Sequence, residues 1–515
     1  MEEHHRMTHY LLYCCAMIFV LISVLLATSQ RAQAQTREAY VAQSADKTML
    51  TFYYDALRST RTGTTWGIEE TKKEGDYTFP AWTAWDEGDS TTTRVVFDAS
   101  FRDFRPTTTV MWFYRCEALK QIEGLEYLNT SEVKDMSGMF SDCAALTSID
   151  LKNFNTQNVT AMSSMFHHCA ALTSINLKNF NTKNVTKMDR MFYGCAALKS
   201  LDLKNFNTKK VTDMGRMFAN CDTLTSLDLK NFNTKKVTDM GGMFLNCAAL
   251  TSLDLKNFNT KNVTDMSSMF SGCWALTSLD LKNFNTKNVT DLSSMFSGCA
   301  ALMSIDLKNF NTQNVTNMDS MFSHCAALTS IDLQHFNTKN VTDLSSMFSG
   351  CVALTSLDLK NFNTKNVTDL SGMFSGCVAL TSLDLKNFKT KKVTDMSSMF
   401  YDCAALTSID LQHFNTKNVT DVSRMFFGCE ALTSLDLKYF NTQNVTDMSR
   451  MFFGCAALTT INSNTTWQCP ESEDMFAGCT KLKGAVSYDE NKVDAKMANP
   501  KKGYFTAKPT TVRSW

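Results

Sequence analysis

The sequence predicts an α/β repeat solenoid, and three observations support this fold class. A unit of 26 residues recurs in unbroken register through the middle of the 515-residue chain. Each copy joins an alternating apolar run to a run with apolar residues every three or four positions. A single copy is also too small to bury the apolar surface that folding requires, so copies must stack on one another.

The first half of each copy predicts one short strand. In the copy that starts at Leu146, the apolar residues Leu146, Ile149, Leu151 and Phe154 follow the pattern LxxLxLxxF. The alternating centre of this pattern is typical of a strand with one buried face. Stacked copies would pair these strands in parallel.

The second half of each copy predicts one short helix. Val159, Met162, Met165, Phe166 and Cys169 fall at offsets of 0, 3, 6, 7 and 10. This spacing places apolar side chains on one face of a helix. Each turn of the right-handed array is therefore expected to run strand, corner, helix, corner.

Polar residues at the corner support the predicted turn. Asn155, Thr156 and Asn158 carry side chains that cap helix N-termini and bond the turning backbone. Asp213 and its equivalents would lie early in the helix, near its positive end.

Residues 1–34 are predicted to be a signal peptide. An apolar stretch runs from Leu11 to Ala27, and Ala32, Gln33 and Ala34 form a small-x-small cleavage pattern before Gln35. We therefore expect cleavage between Ala34 and Gln35, and a secreted or cell-surface location. The alternative is an uncleaved anchor, which would give the chain its only contact with a membrane, although a span usually needs about 20 apolar residues.

Three further segments follow the leader. Residues 35–115 contain strand-like runs at 49–54 and 94–97 and predict a β-rich N-terminal cap. Residues 116–482 form the repeat array, whose first copy is one residue longer than the others because Cys116 and Cys143 are 27 positions apart. Residues 483–515 are expected to form a C-terminal cap or tail.

One cysteine occurs in each copy, and we expect these cysteines to form a buried column of free thiols. Pairing any two members of such a column would leave a neighbour unpaired, so only sporadic disulfides are a realistic alternative. Cys469 lies outside the register, with Cys455 or Cys479 as plausible partners. The column consists of Cys143, Cys169, Cys195, Cys221, Cys247, Cys273, Cys299, Cys325, Cys351, Cys377, Cys403, Cys429 and Cys455.

The composition argues against several kinds of function. Lys and Arg together number 51, as do Asp and Glu, and no basic stripe predicts a nucleic-acid partner. The cysteine column lacks the histidines or CxxC spacing of a metal site, and no phosphate loop, HExxH or GxSxG motif occurs. The adjacent His167 and His168 would point in different directions on a helix and are interpreted as surface residues. We therefore predict no enzymatic activity, no catalytic residue, no metal and no other cofactor.

The exposed side of the strands is the main candidate binding face. Its acidic and basic columns include Asp202, Lys204, Asp228, Lys230, Asp254, Lys256, Asp280 and Lys282. Two interpretations remain. The charges of this face neutralise each other, or the same charged groups, repeated in every copy, form a surface for multivalent contact. Candidate aromatic anchors, which repeat drift could equally explain, are Tyr193, Trp274, Tyr401 and Tyr439.

The motif LxxLDLKNFNTxNVTDMSxMFxxC resembles the 26-residue repeat of BspA-like leucine-rich-repeat bacterial surface proteins, over residues 116–482. This resemblance implies an exported leucine-rich-repeat-like scaffold that mediates adhesion and carries no catalytic residues. The expected partners are host extracellular-matrix or cell-surface proteins or glycans, or other bacterial surface components. The competing interpretation is a purely structural spacer or surface-layer component.

Overall fold

The regular structure of residues 2–32, 36–75, 77–84 and 88–508, the part of the chain described by the computed structural model, consists of one α-helix, short strands and brief 3-10 turns. The helix, α1, spans Glu2–Ala32. The strands are β1 (Glu38–Gln43), β2 (Met49–Asp55), β3 (Thr65–Gly67), β4 (Thr71–Glu74), β5 (Tyr77–Pro80), β6 (Arg94–Phe97), β7 (Gln121–Glu123), β8 (Ser148–Asp150), β9 (Ser174–Asn176), β10 (Ser434–Asp436), β11 (Thr460–Asn462) and β12 (Phe505–Thr506). The 3-10 turns are Arg58–Thr60, Ala99–Asp103, Leu125–Tyr127 and Ala495–Met497.

Helix α1 covers most of the expected leader. Its apolar side chains are exposed where they are described, with Tyr10 and Phe19 each 78% accessible. The expected cleavage position, between Ala34 and Gln35, lies outside the described residues. No helix in the described parts of the chain combines the length and apolar character that a membrane span requires.

A five-stranded sheet joins the segment before the repeats to the first copy, which contributes β7, and its strand order is β3-β1-β2-β6-β7. β1 pairs antiparallel with β2 and β3, whereas β6 pairs parallel with β2 and β7. The core behind the sheet centres on Phe52, whose ring lies 4.6 Å from that of Phe97 and 5.3 Å from that of Trp112. The change to parallel pairing brings the chain into the direction that the repeats then follow.

The prediction of one short helix in each copy is wrong. Residues 107–489 contain no α-helix, and the segment expected to be helical is a series of tight turns. In the copy that ends at Cys273, the amides of Met269 and Cys273 donate to carbonyls three residues back, at 3.3 and 3.2 Å. The amides of Ser268 and Phe270 donate instead to the next copy, at 2.8 and 2.9 Å to Ser293 O and Met295 O.

This alternation joins the copies into a continuous ladder, which we call the turn ladder. Parallel bridges link equivalent residues of successive copies from Thr108 to Glu471. A helix would use all of its amides within one copy, whereas here every second amide binds the neighbouring copy. The apolar residues still point inward, because a chain of three-residue turns repeats its inward positions at nearly the same spacing as a helix.

The predicted parallel strands pair at the two ends of the array. β8 pairs with β9, and β10 pairs with β11. In the copies between β9 and β10 the equivalent residues do not form named strands, and a connecting bond such as Thr277 N to Thr251 O is long, at 3.4 Å. The turn ladder, rather than the expected sheet, therefore provides the continuous main-chain connection.

The spacing between copies differs across the array. On the strand side, the rings of Phe180, Phe206 and Phe232 follow one another at 6.4 and 6.5 Å. In the same copies, the rings nearest the turn ladder, from Phe192 through Phe218 to Phe244, are 5.8 Å apart. Because the rings in each row are parallel within 8°, these distances measure the displacement between copies. The array thus bends, with the turn ladder on its inner side.

One hydrophobic core runs through the described residues from Val41 to Phe505. At its C-terminal end, β12 pairs parallel with β11 and places Phe505 beside Ile461. The buried Trp467 stacks on Phe440, with ring centroids 6.3 Å apart. These residues cover the last copy of the array, as the end of a stack of repeats requires.

Candidate binding surfaces

Each Asp–Lys pair of the strand face belongs to a single copy. Lys256 Nζ lies 3.2 Å from Asp254 Oδ2, and the Lys256 amide donates to Asp254 Oδ1 at 3.2 Å. The second bond closes a small turn, which fixes the carboxylate relative to the backbone. Both side chains are largely accessible, Asp254 at 58% and Lys256 at 67%. The side chains that the sequence assigned to the face are thus exposed and held in a repeated geometry.

The same pair recurs along the array. The Lys–Asp distances are 3.9 Å for Lys204 and Asp202, 2.8 Å for Lys230 and Asp228, and 2.9 Å for Lys282 and Asp280. The Lys230 ammonium beside Asp228 holds the pKa of that carboxyl below its ordinary value. Exposed pairs of this kind contribute little to stability. Their effect on the surface is to leave it ordered but locally neutral.

The four candidate aromatic anchors do not form one cluster. Tyr193 and Tyr401 share one position of the repeat, and Tyr401 stacks on Phe427 with ring centroids 4.7 Å apart. Trp274 and Tyr439 occupy two other positions and are 63% and 52% exposed. The anchors are therefore separate features rather than parts of a single site.

The two adjacent histidines meet, contrary to the expectation that they would point in different directions. The rings of His167 and His168 lie 4.4 Å apart, edge to face, and His167 stacks on Tyr193 at 4.9 Å. The prediction assumed a helix, which is absent. Among the described residues, no three His, Cys, Asp or Glu side chains are placed to hold a metal ion.

The cysteine column is buried along its whole length, from Cys143 to Cys455, and all its members are free thiols. Each thiol donates to a phenylalanine carbonyl of the preceding copy, as Cys273 Sγ does to Phe244 O at 3.2 Å. Burial raises the pKa of Cys273 to about 12. Cys469, outside the column, is a half-buried free thiol whose Sγ lies 3.6 Å from Val445 O. The column is therefore placed for packing and hydrogen bonding rather than for reactivity.

A second acidic column lies along the turn ladder, where sequence reasoning placed the start of a helix. Asp213 and Asp239 are bridged neighbours, and each Oδ1 accepts the amide two residues on, at 3.0 Å from Gly215 and 2.8 Å from Gly241. Burial and, secondarily, neighbouring carboxylates raise the pKa of both groups. The recurring VTD sequence signals this column, but it predicted these Asp residues near the positive end of a helix that they do not begin.

A family model described as "Mycoplasma protein of unknown function, DUF285" matches residues 107–227, 195–305, 265–383, 292–409, 329–432 and 369–489. Together these overlapping matches span the repeats from the first bridged copy to the last. The chain belongs to this family. No curated protein matches the sequence.

Solved structures similar to this DUF285 protein include three bacterial leucine-rich repeat proteins. One, from Bacteroides ovatus, is 18% identical, with 87% of this chain and 92% of that chain covered and a TM-score of 0.33. A leucine-rich cell surface protein from Faecalibacterium prausnitzii is 16% identical, with 83% and 93% covered and a TM-score of 0.30. A leucine-rich repeat protein from Eubacterium ventriosum is 16% identical, with 86% and 92% covered and a TM-score of 0.28. The overlapping family matches fit a repeat of about 26 residues, which is consistent with the resemblance to BspA-like leucine-rich-repeat bacterial surface proteins.

Proposed function

We propose that the mature chain is a secreted or cell-surface solenoid that binds proteins or glycans on host or bacterial surfaces and performs no chemistry of its own. The observation that carries this proposal is the repetition of exposed groups. The pair formed by Asp254 and Lys256 recurs in the same geometry in neighbouring copies, held by the same backbone bond.

A repeated surface favours an extended or repetitive ligand. A weak contact made once in each copy becomes strong when several copies engage the same ligand, because later contacts are intramolecular. The strand side is the outer side of the bend, where buried rings are 6.4 to 6.5 Å apart from copy to copy. Matrix proteins and cell-surface glycans provide ligands of this extended kind.

The proposed location rests on the first 34 residues. The apolar stretch and the small residues at Ala32 and Ala34 support cleavage by a signal peptidase. Mass determination of the exported protein tests this directly, since cleavage would leave an N-terminus at Gln35.

The test of the binding function is a comparison of two variants with the same change in charge. The first replaces Asp254 and Asp280 by Asn and Lys256 and Lys282 by Gln. The control makes the same replacements at the other acidic and basic residues of these copies, Lys261, Asp265, Lys287 and Asp291. Both are measured with the full chain against immobilised matrix proteins and glycans. We expect selective binding that the first variant loses at least tenfold and the control retains.

The alternative function is a structural spacer, and the neutral pairing of the strand face is the observation that favours it. A spacer depends on length rather than on its surface chemistry. Removal of two complete 26-residue copies would then shorten the reach of the molecule and impair its function, whereas neutralising Asp254, Lys256, Asp280 and Lys282 would leave that function unchanged. Absence of selective binding by the unmodified full chain would contradict adhesion and favour the spacer.

A further inference from the structure

Three successive copies carry a positive charge that the balanced composition of the chain conceals. Residues 172–249 contain twelve Lys and Arg residues but six Asp and no Glu, a net charge of +6, whereas basic and acidic residues each number 51 in the whole chain. Most of this excess lies at the corner between the strand side and the turn ladder, where residues 205–212 and 231–238 contain no acidic residue. We call the exposed lysines of this corner the corner patch; they are Lys183, Lys209, Lys210, Lys235 and Lys236.

The positive charge of the corner patch is not neutralised within the protein. The ion pairs of these three copies lie on the strand side and on the turn ladder, and they join Lys204 to Asp202, Lys230 to Asp228 and Arg190 to Asp189. Asp213 and Asp239 of the same copies belong to the turn ladder, where each accepts a main-chain amide. None of the five patch lysines pairs with a carboxylate of the described residues. The patch therefore differs from the strand face, whose lysines are paired.

The corner holds these lysines in a regular row. The amide of Lys209 donates to Asn207 Oδ1 at 3.2 Å, and the same bond recurs in the next copy at 3.1 Å. The parallel rings of Phe206 and Phe232, three residues before the first lysine of each corner, lie 6.5 Å apart. The lysines thus recur at about this interval along the outer side of the bend. A row of like charges attracts an extended molecule of opposite charge.

Two of the patch lysines replace residues that bind the neighbouring copy. In most copies the second corner position is Asn, and Asn262 Nδ2, for example, donates to Lys235 O at 2.8 Å. The same bond recurs in the copies that follow. At Lys210 and Lys236 neither ammonium group donates to the main chain of another copy in the described structure, and Lys210 Nζ donates to Asn184 Oδ1 at 2.8 Å. A local break in a repeated rule is typical of a functional position.

The chemistry of the patch fits a polysaccharide better than a protein or a nucleic acid. Protein interfaces have an apolar core, and single-stranded nucleic acids stack their bases on aromatic side chains. No large apolar side chain of residues 172–249 is exposed, and the structure describes all of these residues. The exposed neighbours of the lysines are asparagines such as Asn205 and Asn231, whose side-chain oxygens accept hydrogen bonds from hydroxyl groups. Lysine and asparagine together match a glycan that carries both anionic and hydroxyl groups.

We propose that the corner patch binds a linear polyanionic glycan, a polysaccharide whose anionic groups recur along its chain and contact the lysines of successive copies. Each ion contact is weak, but contacts made by one ligand chain reinforce one another. The inference rests on the proposed binding function and names a ligand class for it. It places the contact at the unpaired corner lysines rather than at the paired columns of the strand face.

The test uses immobilised heparin, a sulfated polysaccharide, titrated with the full chain. The variant K209Q/K210N/K235Q/K236N gives both corners the sequence NTQN, which the chain already contains at residues 155–158 and 311–314, so the fold accommodates it. We expect this variant to bind heparin at least tenfold more weakly than the unmodified chain.

The matched control removes four lysines that are paired with Asp on the strand face, in the variant K256Q/K282Q/K360Q/K386Q. It changes the net charge by the same amount, and its heparin affinity should change less than threefold. Heparin from which the sulfates have been removed should bind the unmodified chain at least tenfold more weakly.

The salt dependence of binding measures the number of ion contacts. Counterion release makes log K fall with log salt concentration by roughly 0.7 to 0.9 for each contact with a nucleic acid. If the same relation holds for heparin, loss of four lysines should reduce this slope by about 3 in the patch variant. The slope of the strand-face control should stay close to that of the unmodified chain.

Four results would overturn the proposal: no saturable heparin binding by the unmodified chain, equal losses in the two variants, unchanged affinity of desulfated heparin, or equally tight binding of single-stranded DNA of the same length. The last result would assign the patch to nucleic acid. If the patch variant has a lowered urea midpoint, K210N/K236N replaces it, because it restores the asparagine of the other copies. That double variant should bind heparin at least threefold more weakly.

Binding of the same proteins to immobilised matrix proteins separates this proposal from the strand-face proposal. Heparin binding that depends on the patch, in a chain without selective binding to matrix proteins, supports the patch and removes the strand-face adhesin. Selective binding to matrix proteins without heparin binding removes the patch alone.

Discussion

Thr260 is fully buried, and its hydroxyl group makes two hydrogen bonds to the next copy. The hydroxyl donates to Asn285 O at 3.0 Å and accepts from the Asn285 amide at 2.7 Å. The same two bonds recur at Thr234 and Thr286 in the adjoining copies. The sequence indicates Thr at this corner, but the partner of its hydroxyl group depends on the stacking and could not be read from one copy.

Replacement of Thr260 by Val should destabilise the array. Val keeps the shape of Thr but removes the partner of the Asn285 amide and carbonyl, at a cost of about 0.5 to 1.5 kcal/mol for each lost hydrogen bond. The exposed Thr264, which bonds Thr238 O at 3.2 Å, provides the control. Urea unfolding should show a lower midpoint for T260V and a change below about 0.5 kcal/mol for T264V. Equal effects of the two substitutions would contradict the assigned role.

Gly272 should tolerate alanine less well than Gly298, because the Asn246 side chain lies beside it. Its φ is 71°, and an added Cβ would lie 2.1 Å from Asn246 Oδ1 in the preceding copy. Gly298 has a φ of 72°, but its nearest neighbours would lie 3.4 Å from the new Cβ. G298A should therefore lower the free energy of unfolding only by the cost of placing alanine in the left-handed conformation, about 1 to 2 kcal/mol.

G272A should be more destabilising than G298A in urea unfolding, because it adds the clash with the Asn246 side chain. The double variant N246G/G272A removes that side chain, so its free energy of unfolding should return close to that of G298A. A double variant no more stable than G272A alone would show that the amide of Asn246 is not the obstacle.

At the scale of elements, the helix was predicted from a spacing that two structures share. Met266, Met269, Phe270 and Cys273 are buried with offsets of three and four, as on a helix. The distinguishing signal lies at the positions between them. Ser268 and Gly272 have φ values of 54° and 71°, and the second position is Gly, Asn, Asp or His throughout the array. These residues favour left-handed turns.

The thiol column should make the array sensitive to alkali. Burial raises the pKa of Cys221, Cys273, Cys351 and Cys429 to about 12, from an ordinary value of 9.0. The folded chain keeps these protons while the unfolded chain loses them, so stability is fully present below pH 9 and falls as the pH rises toward 12. Each thiol accounts for up to about 1.4 kcal/mol per pH unit in that window.

Urea midpoints at pH 7.5, 9 and 10.5 would measure this loss. We expect the urea midpoint to fall above pH 9. In a variant with these four cysteines replaced by Ala, the midpoint should fall less over the same pH range than in the unmodified chain. Parallel behaviour of the two proteins would assign the alkaline loss to other groups.

For the whole molecule, the sequence predicts the stack but not its bend. The 26-residue period, the inward apolar columns and the β-rich start of the chain are all visible in the pattern. The sequence pattern does not show which side of the array is the inner side of the bend, since this depends on which backbone groups pair between copies. The copies lie closer together on this inner side. There, on the turn-ladder side, the rings of Tyr401, Phe427 and Phe453 are only 4.7 to 4.8 Å apart.

The candidate sites were also predicted only in part. Asp254 and Lys256 were placed on an exposed face by simple alternation, but their pairing within one copy depends on a local turn. The separation of β7, which pairs with β6, from β8, which pairs with β9, was signalled by the 27-residue distance between Cys116 and Cys143. Its consequence could not be predicted, because the position of the extra residue decides which strands separate.

The central claim is that a turn ladder without helices connects successive copies through main-chain hydrogen bonds. Hydrogen–deuterium exchange on the full chain, resolved to single amides, tests this claim. In the central copies, the amides of Ser268, Phe270 and Gly272, which bind the next copy, should exchange slowly. The amides of Ser252 and Asp254, on the strand side, should exchange faster. Uniform protection of residues 264–273 together with a helical circular dichroism signal that persists when α1 is absent would contradict the account and restore one helix per copy.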